Sequence, residues 1–146
     1  MNISAFGEIL FDHIDGQALL GGAPANFISH IGTLSKLFHL GIEAHLISAV
    51  GEDESGKAAL EILKKRGVQV KYIHVSPSHQ TGSVHVTKDS NGTASYDIVE
   101  HVAYDHLLFP GEAFLQEIDF FYMGTLAQRY TPNQKLIERL MESDRF

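Results

Sequence analysis

The stretch Leu20-Gly21-Gly22-Ala23-Pro24-Ala25-Asn26-Phe27 has the residue types to hold a neutral polar ligand. Two glycines let the backbone approach a ligand closely and take turns that a Cβ forbids. Pro24 suits the first turn of a helix, where its missing N–H costs nothing. Asn26 falls in that turn and carries an amide that both donates and accepts. Backbone N–H groups and Asn26 together can therefore grip a polyol such as a sugar. The same octapeptide also reads as a strand-to-helix turn that merely needs glycine. Asp12 closes an apolar stretch just before this loop, a good position to meet a ligand. An aspartate there equally serves as a cap. Glu8, next to Gly7, reads either as a pocket residue or as a structural partner.

Other constellations carry less chemistry. Among nine histidines, the densest group is His101, Tyr104, Asp105 and His106. It lies in a loop-like stretch without the converging shell a metal needs, so these read as surface side chains. Asp105 reads as a helix cap or a substrate contact. No serine sits in a nucleophile-elbow sequence. No Gly-x4-Gly-Lys-Ser/Thr loop occurs, and Gly51-Glu52-Asp53-Glu54-Ser55-Gly56 is too acidic to welcome a phosphate. No catalytic residue, bound cofactor or metal ligand is assigned to this chain.

The elements that position the glycine loop follow from the apolar pattern. Ile3 to Phe11 reads as one buried strand, and residues 13 to 20 as a small strand or loop. A helix runs from Pro24 to about His39, with Phe27, Ile31, Leu34 and Phe38 on one side and Gly41 as its stop. Ala44 to Val50 is a second apolar strand, and Lys57 to Arg66 a second helix capped by Asp53 or Ser55. Val68 to Val75 is a further strand. This alternation predicts parallel βαβ units. The pattern then changes. Thr81 to Asp89 and Thr93 to Val99 alternate polar and apolar residues around Ser90-Asn91-Gly92, the signature of an antiparallel hairpin. Tyr96 and Ile98 are expected on its buried face. Such a ribbon is marginal alone and needs a cover. Glu112 to Gln116 is a weak helix and Ile118 to Met123 an apolar core strand. Thr131-Pro132-Asn133-Gln134 has the form of a capping box before a last helix lined by Leu136, Ile137, Leu140 and Met141.

The bulk numbers fit this α/β reading. The chain has 146 residues, 44% of them hydrophobic, enough for one domain with a real core. Its net charge is −7, and no basic stripe with interleaved aromatics argues for nucleic acid. It has no cysteine, which suits a reducing cytoplasm. No signal peptide or membrane-spanning run is expected.

Six stretches, in order along nearly the whole chain, resemble the ribokinase-like (PfkB) carbohydrate kinases, fructokinase-like branch. They are Gly7-Glu8-Ile9-Leu10-Phe11-Asp12, Leu20 to Phe27, Ser48-Ala49-Val50-Gly51-Glu52-Asp53 with Gly56, Lys64 to Val68 before Tyr72-Ile73, Thr81-Gly82-Ser83-Val84, and Gly124-Thr125-Leu126-Ala127-Gln128-Arg129. The resemblance implies a partial ribokinase-like, Rossmann-like parallel sheet with helices. It also implies a small antiparallel β lid from residues 13–20 and 81–100. Asp12, Gly21, Gly22 and Asn26 are similar to sugar-binding positions. Gln128 and Arg129 match a segment near the sugar or phosphate end, although Arg129 equally reads as a surface salt-bridge partner.

Complete members of that family use ATP and Mg2+ and carry a Gly-Ala-Gly-Asp segment whose Asp is the catalytic base. No such segment occurs in this chain. The resemblance thus implies that residues 1–146 are the N-terminal, sugar-binding part of a kinase domain, inactive alone and binding neither ATP nor Mg2+. The ending Asp144-Arg145-Phe146 does not look like a designed terminus. The implied partners are a small sugar, fructose or a relative, and a second copy joined through the lid or an exposed sheet edge. The alternative is a non-catalytic module that binds a sugar or dimerises through its lid.

Overall fold

The structure is a computed structural model and describes residues 1–88 and 91–142. Ser90, Asp89 and the 144–146 ending lie outside the described residues. Among the described residues, nine strands and four helices follow one another: β1 (Asn2–Phe6), β2 (Leu10–Ile14), β3 (Gln17–Gly21), α1 (Ala23–Phe38), β4 (Glu43–Gly51), α2 (Glu54–Lys65), β5 (Val68–Gln69), β6 (Ile73–Ser76), β7 (Gly82–Lys88), β8 (Ala94–Ile98), α3 (Glu112–Leu115), β9 (Phe120–Met123) and α4 (Thr131–Met141). Short 3-10 turns span Ala103–Asp105 and Leu126–Arg129.

A parallel sheet in the order β5-β4-β1-β9, with β6 continuing beside β4, carries the body of the fold. Parallel strands are covered on both faces, and the two buried clusters show it. Ile3, Ala5, Leu46 and Val50 face Ala25 and Ile28 of α1 and Ala59 and Leu63 of α2. Phe6, Ile47 and Ala49 face Leu115 and Ile118 together with Ile137 and Leu140 of α4. Each strand therefore feeds alternate residues to opposite cores.

The second sheet runs β3-β2-β7-β8. The outer pairs are antiparallel and the central β2–β7 pair is parallel. The smaller sheet is thus mixed rather than wholly antiparallel, because β2 and β7 both leave the body in the same direction.

Several sequence expectations are corrected in detail. The stretch Ile3–Phe11 is two strands, one in each sheet. Gly7, at φ +142, turns the chain between them, and its carbonyl accepts the Ser48 hydroxyl at 2.6 Å. Residues 13 to 20 form a tight hairpin whose Asp15 and Gly16 both have positive φ, as a type I′ turn demands. Val68–Val75 is broken by a turn in which the Ile73 N–H reaches the Val70 carbonyl. The capping box at Thr131 does not form: Tyr130 is the N-cap and makes no side-chain cap bond. Asp53 does cap α2, accepting the Gly56 N–H at 2.7 Å. Tyr96 and Ile98 are 65% and 36% exposed, so the β8 face expected to be buried is open. Phe120, expected in the core, is 51% exposed on the edge strand β9.

Candidate functional site

The carboxyl ends of β1 and β9, the start of α1 and the base of the second sheet meet around the glycine loop. Asp12 lies on β2 directly across from Leu19 of β3, two residues from Gly21. A Cβ built on Gly21 would land on the Asp12 carboxylate, so glycine is what lets the two share that corner. Asp12 is half-buried, and burial pushes its carboxyl up, with the His13 charge acting the other way. Its carboxylate makes no hydrogen bond among the described residues.

Gly22 is the N-cap of α1 at φ +99, and a Cβ there would stand 2.5 Å from the Glu8 carbonyl oxygen. Asn26 lies one turn into the helix, its N–H bonded to the Gly22 carbonyl at 2.9 Å. Its side chain is exposed and opens onto a hollow shared with Leu20, Ser29, His30, Thr33 and Arg66. That hollow lies on the Leu20 side of the hairpin, whereas strand alternation puts Asp12 on the Leu19 side. The structure thus joins Asp12, Gly21 and Gly22 in one corner and places Asn26 at its helical border, facing a neighbouring recess.

Gln128 and Arg129 are built differently. Gln128 donates its amide to the Gly124 carbonyl at 2.9 Å, within its own turn. Arg129 makes a two-pronged bond to Asp105, Nε to Oδ1 and Nη2 to Oδ2, both at 2.9 Å. It also donates to the Val99 carbonyl at 2.8 Å and stacks over Tyr104 and Tyr130. Asp105 is fully buried and also accepts the Val102 N–H at 3.1 Å. The pair therefore lies at the edge of the core, not on the surface. It staples the segment that leaves β8 to the body.

Asn133, read only as part of a capping box, is fully buried. It donates to the carbonyls of Tyr104 and Ala127 and accepts the Leu107 N–H. Nothing in its local sequence marks that role, since its partners are supplied by the tertiary fold. Glu8 is the other side chain whose weight emerges only in three dimensions. It is 3% exposed, and its Oε1 accepts the Ala23 N–H at 3.0 Å.

The histidine-rich segment splits into pairs. His79 and His106 stack at 3.9 Å between ring centres, and His101 Nδ1 lies 2.9 Å from the Tyr130 hydroxyl. Among the described residues no three side chains are grouped to hold a metal ion. Among them, too, no helix is long and apolar enough to cross a membrane.

Comparison with known proteins places this geometry. Residues 14–144 match the pfkB family carbohydrate kinase pattern. A fructokinase-2 from Solanum lycopersicum is 28% identical over 96% of this chain and 45% of its own length. A sugar kinase from Pyrococcus horikoshii, solved with ATP, superposes with a TM-score of 0.81 at 25% identity, covering 96% of this chain and 48% of that one. A fructokinase from Xylella fastidiosa shares the fold with a TM-score of 0.80 at 19% identity, over 96% of this chain and 46% of that one. The chain spans about half the length of the relatives it matches.

Proposed function

Because this chain belongs to the pfkB family of carbohydrate kinases, we propose that it forms the sugar-binding part of an ATP-dependent, fructokinase-like kinase. The observation that carries this reading is the corner made by Asp12, Gly21 and Gly22, with Asn26 in the first turns of α1. The Asp12 carboxylate in that corner and the Asn26 amide at its helical border, which opens onto the neighbouring recess, make no protein hydrogen bonds among the described residues. A carboxylate that accepts two hydroxyl protons and an amide that both donates and accepts suit a sugar's hydroxyls. The mixed sheet β3-β2-β7-β8 then acts as a lid that shields the sugar and excludes water.

The phosphoryl-transfer machinery is the part this sequence does not supply. It has no Gly-Ala-Gly-Asp segment to provide a base and phosphate cradle. ATP and Mg2+ belong to the complete kinase, and transfer to a primary hydroxyl is expected only when that second part is present. The setting proposed is the cytoplasm. An assay with ATP, Mg2+ and D-fructose tests this directly. The expected result is sugar binding without turnover by this polypeptide, and robust turnover by it alone contradicts the assignment.

A second reading has its own support. Leu19, Tyr96 and Ile98 are exposed on one face of the lid sheet, a surface that a second copy can cover. Sedimentation separates the two: a concentration-dependent dimer lost in Tyr96→Ser supports lid pairing, and a clean monomer contradicts it.

A further inference from the structure

One face of α1 carries polar side chains that the fold does not spend. Asn26, Ser29, His30 and Thr33 fall at positions i, i+3, i+4 and i+7, so they stand in one stripe along the helix. With Leu20 of β3 and Arg66, the C-cap of α2, they line a recess of about 340 Å3, a size that small-molecule sites take. Ser29 is 2% exposed, and its hydroxyl has no hydrogen-bond partner. Buried hydroxyls are normally bonded, in a helix often to the carbonyl one turn back. A group that can donate and accept therefore stands unused in the wall of the recess.

The end of α2 is held firmly against this stripe. A Cβ on Gly32 would stand 2.6 Å from the Arg66 carbonyl oxygen, and the Thr33 hydroxyl donates to that same oxygen at 3.5 Å. Lys36 Nζ reaches the Lys65 carbonyl at 3.0 Å. The Arg66 guanidinium makes no hydrogen bond or ion pair among the described residues. Charge also sets this junction apart. The chain has 18 acidic against 11 basic residues, yet neither α1 nor the lining of the recess contains a carboxylate. Four of the basic residues, Lys36, Lys64, Lys65 and Arg66, gather where α1 meets the end of α2.

We propose that this recess is a second binding site, for a phosphorylated sugar. Arg66 takes the phosphate, whose oxygens match the guanidinium fork, and the polar stripe of α1 takes the hydroxyls. Asn26 and Thr33 lie seven residues apart, about 10 Å along the helix axis. That length separates a sugar ring at the Asn26 end from a phosphate at the Arg66 end. The basic junction draws the dianion toward a chain that is otherwise acidic. A neutral sugar leaves Arg66 unused, so charge distinguishes this ligand from the one assigned to the glycine-loop corner. Asn26 borders both sites, but the second stands on its own residues and does not rest on the kinase reading.

The test is calorimetry on the whole chain with D-fructose 6-phosphate, inorganic phosphate and D-fructose. D-Fructose 6-phosphate is expected to bind saturably, about tenfold or more weakly in Arg66→Ala, and less tightly as ionic strength rises. Inorganic phosphate should compete with it more weakly, and Arg66→Ala should leave the affinity for D-fructose unchanged. Two-dimensional amide NMR of the wild type then locates the ligand, with shifts expected at Ser29, His30, Thr33 and Arg66. That map decides even if Arg66→Ala does not fold. No binding of D-fructose 6-phosphate, equal affinity in a folded Arg66→Ala, or shifts confined to Asp12, Gly21 and Gly22 overturn the proposal. Equal affinity for inorganic phosphate and D-fructose 6-phosphate marks an adventitious ion only and overturns it too. A chain that binds D-fructose 6-phosphate through Arg66 but no D-fructose contradicts the functional reading instead and upholds this site.

Discussion

The glycine loop and the Gly124–Arg129 turn flank the same corner yet treat their polar groups in opposite ways. In the turn and the α4 start that follows it, Gln128 is committed to Gly124, Arg129 to Asp105 and Val99, and Asn133 to three backbone groups. Beside the loop, on β2 and α1, the Asp12 carboxylate and the Asn26 amide are left without such bonds among the described residues. A folded chain leaves polar groups uncommitted mainly where solvent or a ligand completes them. The contrast separates groups spent on holding the fold from groups left open to solvent or a ligand. Arg129 sits in a matching segment, but its guanidinium is already engaged.

Substitution on the committed side should therefore cost stability. Removing Arg129 leaves Asp105 buried without its counter-charge, a change that costs about 3–5 kcal/mol. Urea unfolding of Arg129→Ala should show that loss, and a near-neutral result would break the contrast. Replacing both partners, as Asp105→Leu with Arg129→Met, should recover much of it. Asn133→Ala strands two carbonyls and one N–H in the core and should cost about 2–3 kcal/mol by the same measurement.

On the uncommitted side the expected effects are small and one has the opposite sign. Burial raises the folded pKa of Asp12. Its contribution to stability is therefore present below the ordinary carboxylate pKa and is lost as pH rises through the raised value. Asp12→Asn cannot ionise, so its melting temperature should gain on wild type between acid and neutral pH. A gap that is constant across that range would contradict the burial of this carboxyl. Asn26→Ala, exposed on α1, should stay within about 0.5 kcal/mol of wild type.

The same division marks what could be read from sequence. The parallel βαβ body was legible because alternating apolar strands and amphipathic helices announce themselves locally, as with β4, α1 and α2. The α2 cap was legible as one of two residues, Asp53 or Ser55, and Asp53 fills it. The turn at Asp15-Gly16 was also written in the chain, as an Asp-Gly pair between short strands, but the apolar run through Ile3–Phe11 hid it. A structural role for Glu8 and a salt bridge for Arg129 were among the readings open from sequence, but their partners, and those of Asn133, were not legible, because they lie between 6 and 30 residues away and meet only once the sheets have docked. Burial of Tyr96 and Ile98 was expected from alternation, yet alternation specifies which residues share a face and not whether anything covers it.

The proposed sugar contacts are the uncommitted groups beside the glycine loop, Asp12 and Asn26. Calorimetric titration of D-fructose into the wild-type chain, Asp12→Ala and Asn26→Ala tests this assignment most directly. Saturable binding by the wild type that disappears in both folded variants is the predicted result. Binding that survives both substitutions, or no binding by the wild type, would contradict it.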